Sequence, residues 1–128
     1  MEAFVAGFTA LGDISLLMLL VCATLGGVVI GALPGLNATT GAALLLPFTL
    51  TMEPVAAISV LTAIYCSATF AGAITAILIN TPGTSASATT CLDGYPMAVR
   101  GEAGRALGLA VISSTVGGVF SVAVLMLS

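Results

Sequence analysis

The sequence has few of the groups that enzymes and nucleic-acid-binding proteins use. It contains no histidine and no lysine, and its charged residues are two arginines and five acids. The sequence therefore has no phosphate-binding loop that ends in a lysine and no His/Cys set with metal-ligand spacing. No two acids share an apolar block, so a carboxylate pair within the membrane is also absent. Serines and threonines are plentiful, but no base is available to activate them. We therefore predict that the chain is not an enzyme, and the lack of a basic patch excludes nucleic acid as a partner.

Long uncharged apolar stretches dominate what remains. Mean hydropathy is +1.27, and 59% of the residues are hydrophobic whereas 5% are charged. Soluble domains carry about 25% charged residues. Blocks 14–52, 54–92 and 106–128 have no charge, and each exceeds the roughly 20 residues that a spanning helix needs. The sequence predicts an all-α fold of polytopic transmembrane helices in a lipid bilayer, with re-entrant or discontinuous segments broken at Pro-Gly motifs.

The apolar blocks divide residues 1–128, read as a single membrane region, into seven predicted segments. Asp13 is a suitable N-cap for the first span, and Pro54 suits the first position of a helix. Glycines four residues apart, Gly27 and Gly31, predict close approach of another helix. The predicted segments are an interfacial helix at 1–13, a span at 14–33, a break plus half-helix at 34–50, a span at 55–79, a break plus short helix at 80–92, a loop at 93–105, and a span at 103–127.

Two Pro-Gly breaks interrupt the apolar blocks. Pro34 and Gly35 end the first span, because proline lacks an N–H and glycine adopts dihedrals that other residues avoid. Thr39 or Thr40 can then cap a new helix from Gly41 to about Leu50. Asn80–Ser85 forms the second break. Whether 14–50 is a re-entrant hairpin or a broken span stays open.

Broken helices in hydrocarbon are typical of the binding sites of secondary transporters. Half-helix N-termini direct unpaired N–H groups and partial positive charge at anions, whereas unwound carbonyls and hydroxyls can hold Na⁺. No other cofactor is expected. The predicted substrate- and ion-binding residues are Pro34, Gly35, Leu36, Asn37, Thr39, Thr40, Asn80, Thr81, Pro82, Gly83, Thr84 and Ser85.

The few charged residues predict the orientation of the chain. Asp93 begins a predicted exit to water, and Arg100 and Arg105 are the only cationic residues. The positive-inside rule places loop 93–105 on the cytoplasmic side, with these three residues solvated. The last span stops at Ser128 without a flanking anchor, so we expect the chain to be part of a longer protein.

Five motifs follow one another along the chain: Gly31–Gly41, Leu44–Phe48, Ile77–Thr84, Leu92–Ala98 and Gly101–Gly108. Together and in this order they resemble the large membrane subunit of tripartite tricarboxylate transporters, and the similarity runs from about residue 8 to the end. The family's Pro-Gly-Leu motif corresponds to Pro34, Gly35 and Leu36, and its Asn-x-Pro-Gly motif to Asn80, Pro82 and Gly83. Asn37 stands where the family usually has glycine.

This resemblance implies a secondary carrier of the bacterial inner membrane that imports tri- or dicarboxylates, such as citrate-like organic acids, with Na⁺ or a proton gradient. It also implies two partners, a small membrane subunit and a periplasmic solute-binding protein. The family subunit is several times longer than this chain and has two related halves of opposite topology, so this chain corresponds to the opening part of the first half. The alternative is a non-transporting helical scaffold or a pore-forming oligomer whose glycine ridges only pack helices.

Overall fold

A computed structural model describes Val5, Gly7, Thr9 and residues 12–128. Within these residues the secondary structure is helical, which confirms the all-α prediction. Most of the predicted interfacial helix at 1–13 lies outside the described residues. The helices are α1 (Ile14–Ala32), α2 (Ala38–Thr49), α3 (Pro54–Ile79), α4 (Ala88–Val99) and α5 (Ala103–Leu127).

Three of these helices are long and apolar enough to cross a membrane: α1, α3 and α5. Asp13 caps α1 as predicted, because its side chain accepts a hydrogen bond from the backbone N–H of Ser15 at 3.3 Å. Pro54 occupies the first turn of α3, where its missing N–H has no helical partner to lose. The starts of both helices therefore follow from local sequence.

Helices α1 and α3 run parallel and form the main packed interface. A Cβ atom added to Gly27 would lie 2.8 Å from the carbonyl oxygen of Ile64, and one added to Gly31 would lie 2.6 Å from the Cα of Ala68. The contacts advance together along both helices, which defines the parallel register. The predicted glycine ridge is thus a helix-packing surface, as small residues in membrane helices commonly are. A Cβ atom added to Gly35 would have no atom within 4 Å, so Gly35 lies outside this packing surface.

The remaining helices pack around α3. Helix α2 returns the chain from the end of α1 to the start of α3, and it contacts both helices. Helix α4 lies beside the C-terminal part of α3, where Gly94 faces Ile77. Helix α5 contacts α4 and α3 and runs antiparallel to α3. Its residues Ala106 and Ser113 share a cavity with Ile77, and Ser114 and Gly118 share another with Tyr65.

The predicted loop at 93–105 is wrong over its first half. Residues 93–99 belong to α4, and only residues 100–102 connect α4 to α5. Pro96 does not end the helix, although proline removes a backbone donor. The chain turns at Gly101, whose φ of 85° is favourable only for glycine among common residues. Asp93 is therefore a helical residue and not a loop residue.

Much of the apolar surface has no protein cover within the described chain. In the most apolar stretch of α5, 0% of the residues are buried, whereas 44% are buried in the corresponding stretch of α3. Phe120 and Leu125 are examples of exposed side chains on α5. Large exposed apolar surfaces indicate contact with lipid or with other protein. This surface agrees with a polytopic membrane region.

Candidate functional site

The first break separates α1 from α2 by a short non-helical segment. Leu33 donates its N–H to the carbonyl oxygen of Ile30 at 3.2 Å, and Gly35 has a φ of 97°. Pro34 has no N–H to donate to the last turn of α1. Among the described residues, no hydrogen bond reaches the carbonyl oxygens of Gly31 and Ala32. These two acceptors at the C-terminal end of α1 have no hydrogen-bond partner in the described chain.

Asn37, and not Thr39 or Thr40, caps the helix that follows. Its Oδ1 atom accepts hydrogen bonds from the backbone N–H of Thr40 at 2.8 Å and from the Thr40 hydroxyl at 2.9 Å. Helix α2 therefore begins at Ala38 and not at the predicted Gly41. Asparagine is among the most favourable N-cap residues, so the cap could have been recognised from sequence. The Thr39 hydroxyl and the side-chain NH₂ group of Asn37 have no hydrogen-bond partner within the described chain.

Asn80 ends α3 in the left-handed region, with φ 54° and ψ 30°. The backbone N–H groups of Asn80 and Thr81 both point at the carbonyl oxygen of Thr75. This arrangement closes the helix by a left-handed residue, a position that asparagine tolerates better than most residues. Sequence reasoning treated Asn80 as a ligand and missed its role as a helix C-cap.

A hydrogen-bonded turn between Thr84 and Ser87 follows. The Ser87 hydroxyl donates to the Thr84 carbonyl oxygen at 2.8 Å and accepts from the Thr84 N–H at 3.0 Å. Ser87 is buried, whereas Ser85 is exposed. Sequence reasoning missed Ser87, although Ser/Thr side chains that bond to nearby backbone are a known turn signal. Thr84 serves this turn, which restricts its freedom to bind a ligand.

The second break lies against the end of α1. A Cβ atom added to Gly83 would lie 2.8 Å from the Cα of Gly72 in α3 and 3.0 Å from the carbonyl oxygen of Gly31. Only a residue without a side chain fits between these two helices. The contact brings the second break next to the residues that immediately precede Pro34. No hydrogen bond within the described residues joins 34–40 to 80–85.

A groove runs between α3, α4 and α5. It consists of two cavities of about 490 and 520 Å³ that share Ala73, Thr90 and Ser114 in their linings. Thr84 and Ser87 line one of them, so the groove extends to the second break. At the N-terminal end of α4, the backbone N–H groups of Thr89 and Thr90 have no acceptor in the described part of the chain.

The sequence of this chain is similar to that of a known protein family. A family model described as "Tripartite tricarboxylate transporter TctA family" matches residues 17–128. The chain belongs to the TctA family. This confirms the resemblance that the sequence motifs indicated. The matched range includes both Pro-Gly breaks and all three helices that line the groove.

One similar protein comes from Agrobacterium vitis and is described as an "Uncharacterized 52.8 kDa protein in TAR-I ttuC' 3'region". It is 49% identical to this chain over 88 residues. The match covers 69% of this chain and 18% of that relative, so the chain spans about a fifth of the relative's length. No solved structure matches this TctA-family chain.

Proposed function

We propose that this chain forms part of the membrane subunit of a secondary carrier that imports tri- or dicarboxylates. The carrier acts in the bacterial inner membrane with a coupling cation. It receives its substrate from a periplasmic solute-binding protein and works with a small membrane subunit. The positive-inside rule orients the segment from Arg100 to Arg105 toward the cytoplasm.

The observation that supports a transport site is the contact of Gly83 with the end of α1. Through this contact two interrupted segments, distant in sequence, become neighbours. Each interruption also presents backbone groups without partners in the described chain, namely the carbonyl oxygens of Gly31 and Ala32 and the N–H groups of Thr89 and Thr90. Discontinuous helices that meet in this way are typical of the substrate and ion sites of secondary transporters.

The chemistry of these groups suits a carboxylate substrate. Helix N-termini attract anions through their unpaired N–H groups and partial positive charge. The Thr39 hydroxyl and the Asn37 amide group can donate further hydrogen bonds to carboxylate oxygens. Open carbonyl oxygens cannot bind an anion but can bind a cation. The two breaks thus offer both kinds of group that coupled transport of an anion and a cation requires.

The test is uptake of radiolabelled citrate, malate and succinate by the assembled complex in proteoliposomes, with the binding protein added outside. Thr39→Ala removes an exposed hydroxyl, and Asn80→Gly removes the amide group while retaining left-handed backbone. Thr115→Val, on an exposed face of α5, is the control. We expect saturable uptake, at least a tenfold increase in KM for one of the two site variants, and no change for the control; a tenfold change in affinity is about 1.4 kcal/mol.

Wild-type KM and rate in both site variants, with normal abundance of the complex, would show that these side chains do not contact the substrate. Unsaturable leak of all three acids through the wild-type complex would instead favour the scaffold or pore alternative. Dependence on the binding protein is read from the same assay by leaving that protein out. Loss of uptake is expected, because the binding protein delivers the substrate.

A further inference from the structure

The groove between α3, α4 and α5 contains the carboxylate side chain of Asp93, which takes no part in the substrate site proposed above. Asp93 lies in the middle of α4 and lines the cavity of about 490 Å³ together with Thr89, Thr90, Ser113 and Ser114. The same cavity contacts Ile77 near the end of α3 and Ala106 near the start of α5. Asp93 is exposed, and it lines the part of the groove that lies near the end of α3 and the start of α5.

The hydroxyl groups around Asp93 present oxygen lone pairs to the groove. Ser113 donates its hydroxyl proton to the carbonyl oxygen of Leu109 at 2.8 Å, and Thr89 donates to that of Ala86 at 3.2 Å. A hydroxyl whose proton is already donated can act only as an acceptor toward a ligand. The hydroxyls of Thr90 and Ser114 have no partner among the described residues. The Asp93 carboxylate and the two hydroxyls that can only accept therefore suit a cation better than an anion.

The charged residues in and near the groove also favour a cation as the ligand. Among the residues described as lining the groove, Asp93 is the one carboxylate, and neither arginine takes part. Arg105 is 3.6 Å from Glu102, in the turn outside the groove. Within the described residues no cationic side chain is therefore placed in the groove to neutralise Asp93. A monovalent cation neutralises one carboxylate fully, whereas a divalent cation would leave a net positive charge in the groove.

We propose that Asp93, Thr90 and Ser114 bind the coupling cation of this carrier, and that the cation is Na⁺. Carboxylate and hydroxyl oxygens form the ligand set that hard cations prefer. This inference rests on the proposed carrier function and adds to it the location of the cation. It differs from the expectation that backbone carbonyls at the Pro-Gly breaks bind the cation.

The position also explains how cation and substrate binding are coupled. The open N–H groups of Thr89 and Thr90 lie about one helical turn, 5.4 Å, before Asp93 on α4. A substrate carboxylate bound to these amides is repelled by the ionised carboxylate of an empty Asp93 site, and bound Na⁺ removes this repulsion because it neutralises Asp93. Each ligand therefore raises the affinity for the other, as linkage requires.

The experiment measures uptake of radiolabelled citrate, malate and succinate by the assembled complex in proteoliposomes, with Na⁺ varied against choline at constant ionic strength. The variants are Asp93→Asn and Ser114→Ala, and Thr115→Val is the matched control. Thr115 neighbours Ser114, but its hydroxyl donates to the carbonyl oxygen of Val111 at 2.8 Å and it does not line the groove.

We expect the Na⁺ concentration for half-maximal uptake to rise at least tenfold in Asp93→Asn and about threefold in Ser114→Ala, since loss of a charged ligand weakens binding more than loss of a neutral one. Thr115→Val leaves this concentration unchanged. At saturating Na⁺, Ser114→Ala has the wild-type KM for the acid. If Asp93→Asn does not assemble in the membrane, Ser114→Ala and Thr90→Val decide the question.

Unchanged Na⁺ dependence in variants of normal abundance would overturn the site. Saturable wild-type uptake that does not depend on Na⁺ would also overturn it, while the carrier function would stand. Failure of the wild-type complex to take up any of the three acids in a saturable manner would instead count against the carrier function itself. The two proposals can thus fail separately.

Discussion

Gly27 and Gly31 allow the backbones of α1 and α3 to touch. Hydrocarbon offers no hydrophobic force that would drive helices together, so close van der Waals contact and small residues carry the packing. The spacing of these glycines predicted this surface correctly. At the two breaks the residue types were also recognised, but the roles of Asn37 and Asn80 at helix ends were missed, because a hydrogen-bonding side chain in a break suits either a cap or a ligand.

Gly27→Ala should destabilise the chain, whereas Gly26→Ala should not. The new Cβ atom at position 27 would lie 2.8 Å from the Ile64 carbonyl oxygen and 3.0 Å from the Ile64 Cα, while position 26 has no atom within 4 Å. Overpacking against backbone costs about 1–3 kcal/mol. Thermal unfolding of the two variants in detergent measures the difference. Equal unfolding temperatures would contradict the parallel α1–α3 interface.

At the scale of elements, the ends of the helices decide where the breaks lie. Helix α3 ends at a left-handed asparagine, after which the chain folds back so that Gly83 reaches Gly72. Helix α4 then continues through Pro96, which sequence reasoning had assigned to a loop. Proline disfavours a helix interior but does not forbid it, and packing of Gly94 on Ile77 stabilises this one.

Asn80→Ala should weaken the end of α3, and Asn80→Gly should not. A non-glycine residue in the left-handed region costs about 1–2 kcal/mol, and asparagine bears less of this cost than alanine. We expect Asn80→Ala to lower the unfolding temperature of the complex while Asn80→Gly retains it. If alanine and glycine behave alike, the φ of 54° at this position is not needed for the fold.

At the scale of the whole molecule, the parallel course of α1 and α3 places Asp13 and Glu53 at one end of the bundle. Both residues line one cavity of about 450 Å³. The turn that contains Glu102 connects α4 and α5 at the opposite end of α3. Both arginines lie at this second end, so the orientation that we propose has this end in the cytoplasm and the end with Asp13 and Glu53 on the other side.

Single cysteines should report this orientation. In a cysteine-free background, Glu53→Cys is expected to react with a membrane-impermeant maleimide in intact sphaeroplasts. Glu102→Cys should react only after the membrane is permeabilised, because the orientation that we propose from the positive-inside rule places Arg100 and Arg105 in the cytoplasm. Labelling of both positions from the same side of the membrane would contradict their placement at opposite ends of the bundle. Labelling of position 102 alone in intact sphaeroplasts would show that the orientation is the reverse of the one proposed.

The order of residues along the chain was sufficient to predict the three long helices, their approximate ends and the family. Helix formation uses hydrogen bonds between residues four apart, and spanning requires only a long enough apolar stretch. Both properties are local. The motifs at the breaks were equally local, and they are what marked the chain as a member of the TctA family.

The tertiary structure alone decided which breaks and helices are neighbours. Gly83 and Gly31 are far apart in sequence, and their contact depends on how α1 packs on α3 and how the chain returns after Asn80. Likewise, Asp93 belongs to a groove only because α4 continues past it and α5 lies alongside. Contacts of this kind arise from packing among several helices, which no single stretch of sequence specifies.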